Sequence, residues 1–480
     1  MNKKVCLFLV PLLLTGCSLS NANNNEQKKD EGNYLIKEET SIDFLCMLND
    51  KYKSYLQEMI DEFKEIEPKV TVNLSNPLGS GNYAMLEKTV IAGFYNEDYP
   101  DIVQCYPDNV VKYLAKGYAV NLDTYINDST SGLPQDDKED YISAFMEEGQ
   151  QYSTEGTYSL PFCKSTELMY YNADALLGIE LDGVNNNQPL DDEYFNNLTW
   201  EELFNNLCPK LKAYNDSLAD DAKIMKDTTN SAIFTYDSDE NLFITLANQY
   251  GYGYTSYENG KPSIDFDNEE MKALVKKLKV AKDNKYFQTK NSYGDYVSSL
   301  FTDRESLFTV SSTASLAYNF NEKDPFAVGV AKIPYAEGKD YSAINQGPSI
   351  CILDHKDNNR SLASYLLWKH ITDKTNSFSW SMKTGYMGIR NSCYTSDEYK
   401  ASLVINDPNN FKEVAEVENR IKIAEVRSSM FNTPVFRGSG NARTNVGLLL
   451  KVCLLSEDLD SEIDKLFKDY SDDAKKYLEQ

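Results

Sequence analysis

Carboxylate and aromatic side chains follow two stretches of this chain that have the pattern of buried strands. Asp50 comes shortly after the apolar run "SIDFLCML", and Tyr106 and Asp108 come directly after "PDIVQC". A carboxylate accepts more than one O–H hydrogen bond, and an aromatic ring stacks on the C–H face of a cyclic polyol. Together these residue types suit a hydroxyl-rich small molecule. Asn49, beside Asp50, fits an ordinary turn equally well.

An arginine and a glycine-broken loop near the C-terminus suit an anion. In "VFRGSGNAR", Arg437 and two glycines precede a predicted helix that continues through "TNVGLLL". Backbone N–H groups at a helix start, together with the guanidinium fork, can bind a phosphate or a carboxylate. The same donors suit the vicinal hydroxyls of a sugar, and pairing with a carboxylate of the protein is a third reading. We expect Arg437 to line a binding site.

The histidines and cysteines argue against a metal site, a cofactor site or a triad hydrolase. The chain has two histidines, His355 and His370, too few for a histidine-built zinc site. Of nine cysteines, Cys6 and Cys17 fall near the N-terminus, and the spacing of the others forms no metal or redox pair. We expect those seven to be small buried hydrophobic residues. They are Cys46, Cys105, Cys163, Cys208, Cys351, Cys393 and Cys453.

Length and charge limit the class of protein and its partners. The 480 residues exceed one typical core, so two lobes are expected, and the 41% hydrophobic fraction is typical of a globular body. A formal net charge of −26 disfavours nucleic acid and anionic lipid as partners, because both are bound through basic surfaces. A small anion in a locally positive pocket is still compatible with this charge.

The N-terminus has the pattern of a lipoprotein signal. Lys3 and Lys4 precede about ten apolar residues, too few to span a bilayer, and "LLTGC" resembles a bacterial lipobox. We therefore expect residues 1–16 to be removed and Cys17 to carry a lipid such as palmitate. Residues 17–33 have the polar composition of a flexible tether, about 20–25 Å in mean span. The folded part would then sit at the extracytoplasmic face of a cell membrane.

Periodicity predicts alternating strands and helices that position these residues. Strands are predicted at "SIDFLCML", "KVTVNLS" and "PDIVQCY", with helices over about 55–66 and 83–94 between them. This βαβαβ order is typical of a mostly parallel sheet covered by helices. Further strands are predicted at "YSLPF", "ELMYYN", "ESLFTVSS" and "FAVGVAKIP". Helices are predicted at "LTWEELFNNLCPKLKA", with Thr199 and Glu202 as a capping box, at "NEEMKALVKKLKVAK", and from about Asn445 to the end.

The motifs, in their joint order, resemble the solute-binding lipoproteins of ABC importers, in the large family that binds sugars and polyols. The resemblance runs from about Ile42 to the C-terminus. It is carried by "CMLNDK", "PDIVQCYPDN", "EGTYSLPFCKSTELMYYNADAL", "LTWEEL", "SLFTVSSTASLAYN", "FAVGVAKIPY", "INQGPSICIL", "KTGYMGIRNS" and "FNTPVFRGSGNAR". The phrases "PF..ST...YYN" and "SS..SLA" look most like the branch that binds sn-glycerol 3-phosphate. That branch has a glutamate where this chain has Pro107 followed by Asp108.

The resemblance implies an α/β fold of the periplasmic-binding-protein type II, with two lobes that close on the ligand about a hinge. Lobe 1 would comprise residues 34–163 and 332–370, and lobe 2 residues 164–331 and 371–480. Connections are expected near Cys163–Ser165, near Gly329–Lys332 and at the end of the "YLLWKHI" helix. The resemblance also implies a monomer that delivers its ligand to the transmembrane subunits of an ABC permease.

The resemblance adds further candidate ligand contacts, each with a structural alternative. Tyr83 and Tyr386 match contact positions of the glycerol-phosphate branch, with core packing as the alternative. The hydroxyls of two Ser-Thr pairs face the cleft or cap local backbone, and Gly347 allows close approach to the ligand or serves a turn. The pairs are Ser165 with Thr166 at the first connection, and Ser312 with Thr313 at the end of a strand.

Two ligand classes and two rival functions remain at this stage. A neutral carbohydrate or polyol ranks slightly ahead of glycerol 3-phosphate or a glycerophosphodiester, because Asp50 and Asp108 would repel a phosphate placed near them. The rival functions are a surface glycoside hydrolase, which needs two carboxylates at a set separation, and a lipid-anchored adhesin. The motif series belongs to transport receptors, so we expect a binding protein and no enzyme.

Overall fold

The computed structural model describes residues 34–76 and 83–478, so the predicted signal, tether and lipid site at Cys17 lie outside the described residues. The strands are β1 Thr40–Leu45, β2 Val70–Ser75, β3 Ile102–Cys105, β4 Leu160–Pro161, β5 Glu167–Asn172, β6 Phe234–Tyr236, β7 Thr255–Glu258, β8 Lys261–Ile264, β9 Phe287–Thr289, β10 Phe308–Ser312, β11 Val328–Ala331, β12 Ala343–Ile344, β13 Ser349–Ile352 and β14 Met430–Phe431.

The helices alternate with these strands. They are α1 Asp50–Ile66, α2 Tyr83–Asn96, α3 Pro107–Ala115, α4 Asp123–Ile126, α5 Gln135–Asp140, α6 Ser143–Glu148, α7 Ala173–Leu176, α8 Asp192–Asn196, α9 Trp200–Glu202, α10 Cys208–Ser217, α11 Asp239–Tyr250, α12 Glu269–Asp283, α13 Lys290–Tyr293, α14 Ser298–Thr302, α15 Asn358–Ile371, α16 Lys374–Thr384, α17 Asp397–Ser402, α18 Phe411–Val426, α19 Ser439–Leu455 and α20 Leu459–Lys475.

The first sheet has the order β2-β1-β3-β13-β4 and confirms the predicted βαβαβ unit. β1 is parallel to β2 and β3, whereas β13 runs antiparallel to β3 and β4. Alternate residues of β1 face opposite sides: Phe44 packs toward α1 and α15, and Leu45 packs toward α2 and α3. Helices therefore cover both faces of this sheet, as expected for a mostly parallel arrangement.

The second sheet has the order β11-β5-β10-β6-β9. β5 is antiparallel to its neighbours β10 and β11, whereas β6 is parallel to β10 and β9. α11 and α19 contribute Phe243 and Val446 to the core that contains Phe308. On the opposite face, Ile423 of α18 belongs to the cluster that contains Tyr170 of β5. Each sheet thus has its own layers of helices, which gives two lobes.

The chain passes between the two sheets along adjacent segments. The first passage joins β4 to β5, and the second joins β11 to β13; Ser165 and Gln346 form a β-bridge between them. β12 belongs to the second passage and pairs with β14, so the chain at β14 also runs alongside these passages. The third passage was expected at the end of α15, but it comes after Arg390, because α16 packs on α1 and α15 and Arg390 forms a β-bridge with Tyr141, whereas α18 packs on β11.

The proposed lobe boundaries keep every strand of each five-stranded sheet within one lobe. Helix α16 departs from those boundaries, since its Trp380 stacks on Phe162 and contacts Tyr52, with ring centroids 5.0 and 6.3 Å away. The segment after α16 also belongs with lobe 1, since the Ile142 N–H donates to Ile389 O at 3.0 Å. We therefore propose the same boundaries with residues 371–390 moved to lobe 1.

Two further findings concern cysteines and membrane spans. Within the described ranges, the seven cysteines outside the N-terminal segment are free and buried, which confirms the prediction of small hydrophobic roles. No helix of residues 34–76 and 83–478 is both long and apolar enough to cross a membrane.

Candidate functional site

Tyr83 and Tyr106 meet where β3 ends and α2 begins. Their ring centroids are 4.8 Å apart in an edge-to-face arrangement. The backbone N–H of Tyr106 donates to Asn109 Oδ1 at 3.0 Å, which fixes the turn into α3. Burial, with the neighbouring Tyr106 and Tyr386 adding to it, raises the pKa of Tyr83 well above its usual value. Both phenols therefore stay neutral near pH 7, so each is an O–H donor with an apolar face.

Asp108 joins an element of the first lobe to an element of the second. It lies in the first turn of α3, and its carboxylate accepts a hydrogen bond from the Ser439 hydroxyl at the start of α19. A Cβ on Gly440 would lie 3.1 Å from the Asp108 Cβ, so this close approach depends on glycine. Burial raises the pKa of Asp108, although the Ser439 hydrogen bond and Arg443 oppose that rise.

Arg443, on the second turn of α19, is held beside these residues. Its Nη2 donates to Asn241 Oδ1, and Asn241 Nδ2 donates to Glu167 Oε1 at 2.7 Å and to Gln346 Oε1 at 2.8 Å. Among the described residues, Arg443 has no carboxylate partner within the 4.0 Å ion-pair distance. Most of its N–H donors are therefore available to a ligand. We call Tyr83, Tyr106, Asp108, Asn241 and Arg443 the central cluster.

Glu167 anchors this network from β5. The Tyr236 hydroxyl and the Asn241 amide donate to its two carboxylate oxygens. Burial raises the pKa of Glu167 to about 7, while those hydrogen bonds and the Arg443 charge oppose the rise. Near neutral pH this carboxyl is therefore only partly ionised, which weakens its attraction for Arg443.

Arg437 lies apart from the central cluster. It is exposed on the turn before α19 and makes no hydrogen bond or ion pair with another described residue. Its neighbours Val435 and Phe436 are buried in the cores of the two lobes, so they leave the Arg437 side chain in solvent. Sequence reasoning missed Arg443. The sequence did contain one signal for Arg443. Gly440 lies three residues before it and Gly447 four residues after it, so the three residues share one face of a helix.

Asp50 also lies outside the central cluster. It is exposed in the first turn of α1, and its carboxylate makes no hydrogen bond with the rest of the described chain. The adjacent Asn49 caps α1, because its Oδ1 accepts from the Tyr52 N–H at 2.9 Å. Asn49 therefore serves the turn into α1, which was the alternative to a role in ligand binding.

Ser165, Thr166 and Gly347 meet where the passages between the lobes run side by side. Ser165 and Gln346 exchange two backbone hydrogen bonds of 2.9 and 3.0 Å, and the Thr166 hydroxyl donates to Ile344 O at 2.8 Å. The Ser165 hydroxyl has no partner in the described part of the chain. Gly347 has φ +94°, and a Cβ there would lie 2.1 Å from Cys163 O. Gly347 thus serves a turn packed on the first passage.

Ser312 and Thr313 lie at the end of β10, and Tyr386 follows α16. Ser312 Oγ accepts from the Ala314 N–H at 3.3 Å and so caps the short helix that follows β10. The Thr313 hydroxyl is buried without a hydrogen-bond partner in the residues described. Tyr386 stacks on Trp380 with ring centroids 6.4 Å apart, and Tyr386 and Thr313 both line a cavity of about 150 Å³.

A buried ion pair supports the passages between the lobes and was not predicted. Lys164 Nζ lies 2.6 Å from Glu148 Oε2 and donates to Gly347 O at 2.9 Å. Glu148 also accepts from Asn345 Nδ2 at 3.1 Å and from Ser349 Oγ at 3.0 Å. Lys164 is fully buried, and Glu148 is its acidic partner. One lysine within "PFCKST" carries no sequence signal for such a role.

Two α/β lobes with aromatic and polar groups between them define a solute receptor. Residues 58–411 match a family model described as bacterial extracellular solute-binding protein, so the chain belongs to that family. Its function is that of the substrate-binding protein of an ABC importer, as expected from the motif series.

Relatives and solved structures agree with this class. The sn-glycerol-3-phosphate-binding periplasmic protein UgpB of Yersinia enterocolitica is 27% identical over 66% of this chain and 67% of its own length. UgpB of Escherichia coli K12 is 25% identical over 66% of this chain and 68% of its own.

Solved structures share the fold at low identity. UgpB from Mycobacterium tuberculosis in complex with glycerophosphocholine has a TM-score of 0.68 at 17% identity, covering 92% of this chain and 98% of that one. The protein Lmo0181 from Listeria monocytogenes in complex with cycloalternan has a TM-score of 0.66 at 16% identity, covering 92% and 99%. The predicted two-lobed α/β fold is therefore confirmed.

Proposed function

We propose that the ligand of this substrate-binding protein is a phosphorylated polyol, such as glycerol 3-phosphate or a glycerophosphodiester. The single observation that supports it is Arg443, a guanidinium between the lobes without a carboxylate partner in the described chain. A phosphate accepts two parallel N–H bonds from such a fork, and charge-assisted bonds are about twice as strong as neutral ones. The UgpB relatives are named for a ligand of this class.

The repulsion expected from aspartates does not oppose this ligand. Asp50 is exposed and outside the central cluster, and the Asp108 carboxylate accepts from Ser439 in a buried setting that raises its pKa. In our proposal Arg443 takes the phosphate, while Asp108 and the phenols of Tyr83 and Tyr106 take the polyol hydroxyls. The order of the two ligand classes is therefore reversed relative to the sequence-based ranking.

The test compares two arginine variants. Arg443→Ala should weaken glycerol 3-phosphate binding by about 2–5 kcal/mol, because the buried phosphate loses its charged partner. Arg437→Ala is the matched control, from the same segment and equal in charge change, and should bind as the wild type does. Calorimetric titrations at two salt concentrations measure both variants. Wild-type affinity in Arg443→Ala, or loss of binding in Arg437→Ala alone, would overturn the proposal.

A neutral carbohydrate is the second candidate ligand. Tyr83 and Tyr106 offer apolar ring faces next to the Asp108 carboxylate, which is the arrangement that suits a sugar ring. A thermal-shift screen over sugars, polyols and their phosphates separates the two classes. A ligand present at about 100 times its dissociation constant adds about 2.7 kcal/mol of stability. Intact recovery of the stabilising compound after incubation would support a binding protein over a hydrolase.

We further propose that Cys17 carries a lipid that anchors the protein at the extracytoplasmic face of the membrane, beside its permease. The lipobox-like "LLTGC" and the polar segment after it support this anchor. Cys17→Ser should move the protein from the membrane fraction to the soluble fraction. Membrane retention of that variant, with no lipid label on the wild type, would contradict the anchor.

A further inference from the structure

A cavity of about 150 Å³, here called the side cavity, lies next to the central cluster. Its walls come from the turn after α16, the short helix after β10, and α18. Thr313, on its wall, donates its backbone N–H to Thr166 O at 2.9 Å, and the next residue, Glu167, accepts from Asn241 of the central cluster at 2.7 Å. The side cavity is therefore connected through the start of β5 to the network that holds Arg443.

A hydrogen-bond donor without a partner lines the side cavity. Asn419 is 4% exposed, and its Oδ1 accepts from the Tyr170 hydroxyl at 3.0 Å. That bond leaves the Asn419 NH₂ group as a donor with no acceptor in the described chain. Unpaired buried donors favour a ligand that supplies acceptors.

The charged residues around the side cavity also favour a ligand with negatively charged acceptors. Lys51, Lys412 and Arg420 line it, whereas Glu416 is its lining carboxylate, 3.7 Å from Arg420. Lys51 and Lys412 form no ion pair with any residue the structure describes. A fourth lining cation, Lys383, is paired with Glu58 at 3.1 Å. This local excess of positive charge occurs in a chain whose formal net charge is −26.

The side cavity is large enough for a small group. Its volume of about 150 Å³ exceeds the space of about 10–15 Å³ that a single water needs, so a group of phosphate size fits. We propose that the side cavity is a second ligand subsite that binds an oxyanion group through the Asn419 amide and the Lys412 charge. The oxyanion is either the far end group of the molecule held at Arg443 or a separate small anion.

This inference deepens the proposed function. It rests on that function in the case where the oxyanion is the far end group of the molecule held at Arg443. It adds a preference among phosphodiesters, because a cationic head group would face Lys51 and Lys412, which line the side cavity without ion-pair partners in the described chain. Ligands with an anionic or hydroxyl-rich head group should therefore bind more tightly than those with a quaternary ammonium.

Two variants test the subsite. Asn419→Asp keeps the acceptor for Tyr170 but replaces the free amide donors by an oxygen that repels anions, so oxyanion affinity should fall at least about tenfold. Lys412→Ala removes an exposed charge and leaves the core intact, so it covers the case in which the buried substitution fails to fold. Lys422→Ala is the control, since Lys422 is on the same helix, pairs with Glu425 at 3.0 Å and does not line the side cavity.

Three probes distinguish the two sources of the oxyanion. Weaker inorganic phosphate binding, measured in the Arg443→Ala background, supports a separate anion site. Weaker glycerol 1,3-bisphosphate binding with unchanged glycerol 3-phosphate binding supports the end-group case. If Asn419→Asp and Lys412→Ala both match the Lys422→Ala control for all three probes, the subsite is wrong. The proposed function is tested separately, by the affinity of Arg443→Ala for glycerol 3-phosphate.

Discussion

Glu167 gives a pH dependence that can be measured without any ligand. Its pKa rises from 4.5 to about 7 because the folded protein buries it, so between these values the folded state holds a proton that the unfolded state has lost. Stability therefore falls as pH rises through this window, by about 3 kcal/mol for this carboxyl. Glu167→Gln keeps a neutral acceptor for Tyr236 and should remove that fall. Urea titrations at several pH values measure it.

Other carboxyls titrate in the same window, so the comparison of variants is essential. Burial also raises the pKa of Glu418 to about 7, and that of Asp237 and Asp239 to about 6. Glu413 is a control of opposite sign, because backbone hydrogen bonds from Asn406 lower its pKa. Glu413→Gln should lose stability near neutral pH relative to acid pH. A wild-type pH profile in Glu167→Gln would contradict the burial of an ionisable Glu167.

The location of a single residue in the fold could be predicted where that residue directly follows a strand. Tyr106 and Asp108 follow β3 directly, and parallel topology brings such residues to one edge of a sheet. Arg437 and Arg443 could not be separated in this way. Their difference depends on where α19 begins and which of its faces meets α3, and both are consequences of tertiary packing. The ligand contacts themselves stay predictions.

A single methyl group added at Gly347 should disturb the passages between the lobes. Its φ is +94°, and an added Cβ would lie 2.1 Å from Cys163 O and 3.0 Å from Ser165 N. Gly347→Ala should therefore cost about 3 kcal/mol or more, since backbone strain and a clash with main-chain atoms add together. It should also weaken ligand binding, because the displaced segment contains Ser165. Denaturant unfolding and calorimetric titration measure the two effects.

Gly338→Ala is the matched control for the passage. Gly338 has φ +70°, and nothing lies within 4 Å of the position of its missing Cβ. This variant should lose only about 1–2 kcal/mol, from the left-handed backbone alone, and should keep its affinity. Equal losses of stability in the two alanine variants would show that the close packing at Gly347 is absent in solution.

Elements were predictable where one stretch of sequence contains the whole pattern. The amphipathic spacing of α1 and α12 and the alternation in β2 appear in the structure, although α1 begins earlier than predicted, at Asp50. The Thr199–Glu202 capping box is half formed. Thr199 accepts from the Glu202 N–H at 3.1 Å, but the Glu202 carboxylate binds Tyr194 and Asn206 instead. The placement of α16 depends on contacts far along the chain, which local patterns do not contain.

At the scale of the whole molecule, the two lobes touch through residues that follow one another in sequence. Val435 packs in the core behind β3, and Phe436 packs in the core around α11. A few residues later, Ser439 donates to Asp108 across the same boundary. The lobes also share a buried hydrophobic cluster that contains Phe44 of β1 and Tyr170 of β5. A bound ligand that contacts both lobes adds interactions that only the closed form makes, so it shifts the balance between open and closed lobes.

The last prediction follows from this balance. A folded chain of this length has a compact radius of gyration of about 23 Å. Small-angle scattering should give a larger value without ligand than with it, because a molecule between Arg443 and Asp108 adds contacts to both lobes only when they close. Arg443→Ala should stay at the ligand-free value when the same ligand concentration is added, whereas Arg437→Ala should contract as the wild type does. A verified ligand that leaves the wild-type radius unchanged would contradict hinge closure as the mode of capture.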